Sequence, residues 1–350
     1  AVDRVSITGG GSADITNVTD VDLVTLAAAT TLTIGALNAA ITGSTGADTF
    51  ILDDANFSSA DSIDGNTGSD TLQINDTNAS GYTLDATKLD GTNVLGIETV
   101  KLANAAGTHV VTLVDAFVAT ATGTNVTLDL NSRAATLDTS GLSGANTVTL
   151  NGDTVTGNEL VTLAAANNAN ILVTAAYAAN VTMTTGNNEI TFNSGADHLT
   201  VNDGTSLTAA DSIVGGAGND TITVGDSAND DTAITSAVFD GDGSNGGISG
   251  FETIDLSDTD GLTASVVLTD AYVTSTASNA VNLTIHNNDI SSLTTTGVTG
   301  TVTLDSSDNT FSVTTASGVN NAGIVIAAGE TATITLGDGN NTVTGGTGSE

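Results

Sequence analysis

The sequence predicts an all-β protein, a right-handed parallel β-helix or β-roll solenoid. Three observations carry that expectation. One turn-and-strand phrase recurs in register, apolar residues alternate with Thr, Asn and Asp over four to six positions, and composition disfavours helical classes. Among 350 residues, 40 are Gly, none is Pro, Cys or Trp, and aromatics make up 3%. Hydrophobic residues are 39%, chiefly Val, Ile, Leu and Ala interleaved with Thr, enough for a strand-built core.

Taken along the chain, the first strand signal is Leu23-Val24-Thr25-Leu26-Ala27-Ala28, echoed by Gly323-Ile324-Val325-Ile326-Ala327-Ala328. Next comes the phrase itself, a glycine, an aspartate two residues on, two alternating apolar residues and a second aspartate. It stands at Gly46-Ala47-Asp48-Thr49-Phe50-Ile51-Leu52-Asp53-Asp54 and Gly68-Ser69-Asp70-Thr71-Leu72-Gln73-Ile74-Asn75-Asp76. It returns at Gly195-Ala196-Asp197-His198-Leu199-Thr200-Val201-Asn202-Asp203 and Gly218-Asn219-Asp220-Thr221-Ile222-Thr223-Val224-Gly225-Asp226. Turns also keep a nine-residue beat, Gly186 to Gly195, Gly339 to Gly348, Asp61 to Asp70 and Asp211 to Asp220. One strand plus one turn takes about nine residues, so a coil takes about eighteen. The Asp48 and Asp70 turns therefore stack on one edge with the Asp61 turn opposite, and Asp197, Asp220 and Asp211 repeat that arrangement. Val148-Thr149-Leu150, Val181-Thr182-Met183-Thr184 and Thr331-Ala332-Thr333-Ile334-Thr335-Leu336 alternate as strands. Val161-Thr162-Leu163-Ala164-Ala165-Ala166 and Ala175-Ala176-Tyr177-Ala178 are the segments compatible with short turns of helix.

A longer period lies over the short one. Gly96-Ile97-Glu98-Thr99-Val100 answers Gly250-Phe251-Glu252-Thr253-Ile254, and Asp115-Ala116-Phe117-Val118 answers Asp270-Ala271-Tyr272-Val273. The repeat is about 150 residues, giving a partial module over 1–47 and full modules over 48–196 and 197–350. No Pro- or Ser-rich linker separates them, which favours a continuous solenoid. Residues 77–180 and 227–330 lack the phrase and stay open to two readings, continuation of the helix or β-sandwich-like segments. The opening Ala1-Val2-Asp3-Arg4 has neither an initiator Met nor a signal-peptide core, so the sequence reads as a processed chain or a segment of a larger one.

Charge narrows the partners. Lys and Arg number 4 against 40 Asp and Glu, a formal net charge of −36. Such a chain repels itself unless cations neutralise it, and nucleic acid and anionic membranes are excluded as partners for want of basic residues. No apolar run reaches the roughly 18–20 residues of a membrane span. The lack of cysteine leaves an oxidising compartment open.

Oxygen ligands on glycine-bent turns suit a hard cation such as Ca2+. Gly215-Gly216-Ala217-Gly218-Asn219-Asp220-Thr221-Ile222-Thr223 fits the G-G-x-G-x-D-x-U-x nonapeptide throughout. Gly43 to Ile51 and Gly65 to Gln73 depart only at the second glycine, and Gly345 to Glu350 fits with Glu for Asp until the chain stops. On these residues the chain resembles the RTX family of secreted calcium-binding β-roll proteins. Its long modules and Gly-x-Glu-Thr strands are similar to bacterial S-layer lattices and RTX adhesins. The resemblance implies Ca2+ shared between coils at Asp48, Asp70, Asp197 and Asp220, more loosely at Asp61 and Asp211, with Glu350 in the last turn. The second aspartates, Asp54, Asp76, Asp203 and Asp226, read as strand caps or additional ligands. Asp240 and Asp242 begin an EF-loop-like stretch that lacks a twelfth-position Glu. The alternative for any single Gly-x-Asp is a tight turn whose Asp bonds the backbone. Gly144-Ala145-Asn146 and Gly339-Asn340-Asn341 carry a neutral amide and suggest metal-free stacking.

The expected function is a calcium-dependent extracellular structural protein at the bacterial cell surface: a self-assembling S-layer, fibre or biofilm-matrix component. The alternative is the stalk of a giant RTX adhesin. Its expected partners are calcium, other copies of itself head to tail or in a lattice, and cell-surface polysaccharide. Catalysis finds little support: no Gly-x-Ser-x-Gly elbow, metalloprotease His pair or Walker loop occurs, and His109, His198 and His286 are scattered on strands that read as solvated. Glu98 and Glu252 read as structural carboxylates bonded to turn amides. A β-helical polysaccharide-modifying enzyme lacks basic residues for uronates, and ice binding through Thr-x-Thr pairs lacks a continuous array.

Overall fold

The structure, a computed structural model, is built from strands. It describes residues 2–36, 38–76, 81–103, 109–130, 134–142, 146–151, 159–163, 170–173, 179–183, 187–202, 206–226, 233–234, 238–239, 241, 247–258, 265–285, 291–306, 311–315, 323–326, 332–335 and 340–345. Two compact units divide the chain, Ala1–Ala175 and Ala176–Glu350. Among the described residues helix is confined to Asp115–Val118, Asp270–Ser275 and the 3-10 turn Thr122–Thr124.

In the first unit the chain moves between three sheets. One joins Arg4–Ile7, Leu23–Leu26, Ala40–Thr42, Ser62–Asp64 and Val94–Leu95. A second joins Gly11–Ile15, Thr30–Ile34, Thr49–Asp53, Thr71–Asn75, Thr99–Ala103, Asn125–Asp129, Thr147–Asn151 and Asn170–Val173. Thr83–Leu84, His109–Val114, Ala134–Gly141 and Glu159–Leu163 form the third. Sequence neighbours thus sit in different sheets, and each strand pairs in parallel with one further along the chain: Thr31 faces Thr49, Thr49 faces Thr71 and Thr71 faces Thr99. The described strands of 77–180 belong to these same parallel sheets, and no antiparallel pair occurs among the described residues. The described strands of that segment therefore do not pair as an antiparallel sandwich does.

The second unit repeats the plan. Ala179–Met183, His198–Val201, Thr221–Asp226, Thr253–Asp258, Ala280–Ile285, Thr301–Ser306, Gly323–Ile326 and Thr342–Thr344 lie in one sheet. Glu189–Thr191, Ser212–Val214 and Gly247–Ser249 form another, and Ala233–Ile234, Ser265–Thr269, Ser291–Thr296, Phe311–Thr315 and Ala332–Thr335 a third.

The alternating sequence explains the packing. Strand Thr71–Asn75 buries Leu72 and Ile74 completely while Thr71, Gln73 and Asn75 stay half-buried on the other face. Register then stacks like on like: Leu32, Phe50, Leu72, Val100 and Leu128 form one interior row, all fully buried. Val181, Leu199, Ile222, Ile254 and Leu283 do the same in the second unit. Each such side chain contributes roughly 1.5–3 kcal/mol through burial. Parallel sheets usually hide both faces, whereas these carry Thr-rich outer faces, so the core lies on one side of each sheet.

The helical expectations need correction. Val161, Thr162 and Leu163 lie in strand Glu159–Leu163, where β-branched residues favour the pleat; 164–166 and 175–178 fall outside the described residues. Helix occurs instead where the two Asp-Ala-aromatic-Val segments stand, burying Phe117 and Tyr272. Among the described residues no helix is long and apolar enough to cross a membrane.

Candidate metal centre

The Gly-x-Asp turns do stack, and their backbone amides bind the next carboxylate. In the first unit Thr30 N donates to Asp48 Oδ1 at 2.7 Å, and Asp48 N donates to Asp70 Oδ1 at 2.7 Å. Asp70 N then donates to Glu98 Oε2 at 2.7 Å, and Thr122 N reaches Glu98 Oε1 at 2.8 Å. The second unit copies this column step for step: Ala179 N to Asp197 Oδ1, Asp197 N to Asp220 Oδ1, Asp220 N to Glu252 Oε2 and Ala277 N to Glu252 Oε1. Glu98 and Glu252 are thus bonded to turn amides, as their setting suggested. Their place in the columns was not visible, because the steps to them span 28 and 32 residues against 22 and 23 for the aspartate pairs. The longer Glu side chain bridges the looser step.

The aspartates of these columns are enclosed, with Asp48, Asp70, Asp197 and Asp220 at most 1% exposed. Burial raises the Asp70 carboxyl to about 6, helped by the negative charges of Glu98, Asp48 and Asp64. Burial raises Asp220 to about 7, with Asp197 and Glu252 adding repulsion. Asp197 and Asp61 are pushed up by burial as well. Ionised carboxylates in such surroundings need donors or a cation.

Whether a cation fits depends on which oxygens are already used. Asp48 has none to spare: Oδ2 accepts from Ser44 N at 2.6 Å and Ser44 Oγ at 2.8 Å, while Oδ1 holds Thr30 N. Asp211 is similarly filled by Thr208 N and Oγ1 on one oxygen and by Asn188 N and Nδ2 on the other. Asp61 Oδ2 accepts Ser58 N and Oγ in an equivalent turn. By contrast, Asp70 Oδ2, Asp197 Oδ2 and Asp220 Oδ2 are buried and accept no hydrogen bond. These three oxygens have the chemistry to take a cation, whereas Asp48, Asp61 and Asp211 accept from backbone amides and from the side chains of Ser44, Ser58, Thr208 and Asn188.

Glycine makes room beside those oxygens. A Cβ on Gly65 would overlap the Gly96 carbonyl oxygen and come within 2.9 Å of Asp70 Oδ2. A Cβ on Gly215 would overlap the Gly250 carbonyl oxygen and come within 3.2 Å of Asp220 Oδ2. Only a residue without Cβ lets a carbonyl and a carboxylate converge there.

The other candidates lie apart. Asp54 and Asp76 follow strands Thr49–Asp53 and Thr71–Asn75, about 20 Å of extended chain from Asp48 and Asp70. Asp76 is fully buried beside His109, Oδ2 to Nδ1 3.6 Å, and Tyr82 N donates to that Nδ1 at 3.3 Å. His109 is therefore a core residue rather than a solvated one, a pairing that a lone histidine and a distant aspartate do not signal. His198 is half-buried with Nε2 2.8 Å from Thr223 Oγ1 on the next strand. Asp226 ends strand Thr221–Asp226 opposite Asp258. Asp203, Asp240, Asp242, Glu350 and His286 lie outside the described residues. Asn146, from a Gly-x-Asn element, is buried and donates through Nδ2 to Asp115 Oδ1 at 2.5 Å.

No protein-family model, no curated protein and no solved structure matches this chain.

Proposed function

We propose that this chain is a calcium-dependent extracellular structural protein, a parallel β-helix whose copies assemble into a surface layer, fibre or matrix, as an RTX-like protein would. Sheet alternation supports the helical course: consecutive strands enter different sheets, and each pairs in parallel one coil on, as stacking coils require. The observation that carries the metal reading is the set of buried carboxylate oxygens without donors at Asp70, Asp197 and Asp220, of which Asp70 and Asp220 hold matching places in the two units. In a chain of net charge −36 with 4 Lys and Arg, protein cations are too few to neutralise them. Bound calcium would supply positive charge between stacked turns and link coil to coil.

Export would then switch on folding. Sites with dissociation constants of about 10⁻⁴ to 10⁻³ M fill in millimolar extracellular calcium and stay empty in the cytosol. Tenfold excess over such a constant adds about 1.4 kcal/mol per site. Circular dichroism and size-exclusion chromatography of the whole chain test the reading with calcium and with EGTA. The expected result is loss of the β signal in chelator and larger assemblies in calcium; an identical folded monomer in both sinks it.

A further inference from the structure

We propose that the helices Asp115–Val118 and Asp270–Ser275 are edge caps: each closes off the last strand of a sheet and so denies that edge to a strand from a second copy of the chain. The inference is independent of the calcium reading. It concerns where copies are kept from joining.

Order along the chain assigns the helices their places. In the first unit Thr83–Leu84 of the third sheet is followed by Val94–Leu95 of the first and Thr99–Ala103 of the second. The next round runs from His109–Val114 of the third sheet to Asn125–Asp129 of the second, and the helix stands where a strand of the first sheet would come. The second unit makes the same exchange. Ala233–Ile234, Gly247–Ser249 and Thr253–Asp258 are followed by Ser265–Thr269, the helix and Ala280–Ile285. Among the described residues, which include all of 109–130 and 265–285, Val94–Leu95 and Gly247–Ser249 are therefore the last strands of their sheets.

An uncovered edge offers unpaired amides and carbonyls to another chain. Gly65 N takes Leu95 O on the inner side, so the next amide, Gly96 N, faces outward; it donates to Thr120 Oγ1 at 3.0 Å. Thr120 Oγ1 in turn donates to Phe117 O at 2.7 Å, which ties the edge to the helix. In the second unit Gly215 N takes Ser249 O, Gly250 N donates to Ser275 Oγ at 2.9 Å, and Ser275 Oγ donates to Tyr272 O at 2.6 Å. A hydroxyl at the C-terminal end of each helix thus takes the amide that a further strand would have paired. Ile248 N and O are engaged as well, by Val238 O and Gly241 N. Behind the edge, Phe117 and Val118 in one unit and Tyr272 and Val273 in the other are fully buried, closing the interior that the replaced strand would have covered. Gly91 and Gly241, at φ 71° and 80°, let the loop before each edge strand lie against the backbone of Ala116 and Ala271.

Because the chain has no cysteine, Leu95→Cys places a single thiol at the half-buried outer side of the first edge. A short bismaleimide then reads pairing between copies there, at saturating calcium, in three backgrounds. These are the intact cap, Phe117→Ala, which removes the ring that seats the helix, and Leu128→Ala, which empties a fully buried position in the neighbouring sheet. Cross-linked dimer should rise about tenfold or more in Phe117→Ala, because losing a buried ring costs more free energy than a tenfold change requires. It should stay at the intact level in Leu128→Ala. Equal dimer in all three backgrounds, or an equal rise in both variants, overturns the proposal. Should Phe117→Ala not fold, Thr120→Val and Ser275→Ala decide. Amide exchange followed by NMR should quicken about 2–10-fold at Gly96 in the first and at Gly250 in the second, the effect of one hydrogen bond. Cross-linking through Leu95→Cys should rise in Thr120→Val and not in Ser275→Ala. Unchanged exchange, or the same cross-linking in the two, overturns the assignment of the helices as caps.

Discussion

The backbone amide of Asp48 donates to Asp70 Oδ1 at 2.7 Å, although 22 residues of chain separate them. Asp197 and Asp220 make the same contact at the same length across 23 residues. One carboxylate oxygen is therefore spent on holding the preceding Gly-x-Asp turn, and the other decides what else the turn can bind. An aspartate here both ties one turn to the next and places a carboxyl in the interior.

Without metal, that charge should make stability fall as pH rises. A carboxyl whose folded pKa lies above the unfolded 3.8 binds more protons folded than unfolded, so its contribution is complete below pH 3.8. The contribution is then lost as pH climbs through about 6 for Asp70 and about 7 for Asp220. In EGTA the β signal lost at neutral pH should therefore return as pH falls from 8 to 4, a change on the order of a few kcal/mol in stability. Saturating calcium should flatten that slope, because a cation replaces the proton. A β signal that strengthens with pH in chelator contradicts the buried columns.

Much of this was legible in the residues. Gly-x-Asp spacing placed Asp48 over Asp70 and Asp197 over Asp220 because near-uniform steps keep turns on one edge. Alternation gave the buried rows, since period two admits one interior face. The Gly-x-Glu turns were visible as a repeat, yet irregular steps of 28 and 32 residues concealed what they touch. Helices of four and six residues are too short to show a 3.6-residue period, so Asp115–Val118 and Asp270–Ser275 escaped. Which aspartates keep an unspent oxygen depended on neighbours such as Ser44 and Thr208, a matter of side-chain geometry that spacing cannot convey.

Gly65→Ala and Gly215→Ala should each destabilise the fold by about 1–3 kcal/mol, the cost of overpacking against rigid backbone. The added methyl meets the carbonyl oxygens of Gly96 and Gly250, which the turns hold in place. Gly9→Ala is the control, having nothing within 4 Å of its Cβ position, and should change stability by less than about 0.5 kcal/mol. Urea midpoints at saturating calcium measure all three. Equal midpoints would mean that the turns separate easily at these glycines.

His109→Phe should be costly even though it keeps a flat ring in a closed space. Tyr82 N loses the acceptor it has at His109 Nδ1, and Asp76 keeps its place in the interior. Stranding a buried donor costs about 1–3 kcal/mol. Urea unfolding of the variant should show that loss with an unchanged m-value, and a neutral outcome would mean that the amide finds another partner.

Tyr272→Phe should be mild by comparison. Tyr272 is fully buried, and its hydroxyl donates to the Phe251 carbonyl at 3.0 Å, next to Glu252 at the column's end. The matching place in the first unit is held by Phe117, also fully buried, so the packing accepts a ring without the hydroxyl. Removing the hydrogen bond should cost about 0.5–1.5 kcal/mol, with the m-value retained. A loss beyond about 3 kcal/mol would mean that the hydroxyl holds the Gly250-Phe251-Glu252 turn itself. Calcium affinity at Asp220 should then fall in the same variant, while affinity at Asp70, whose turn never had that hydroxyl, should stay constant.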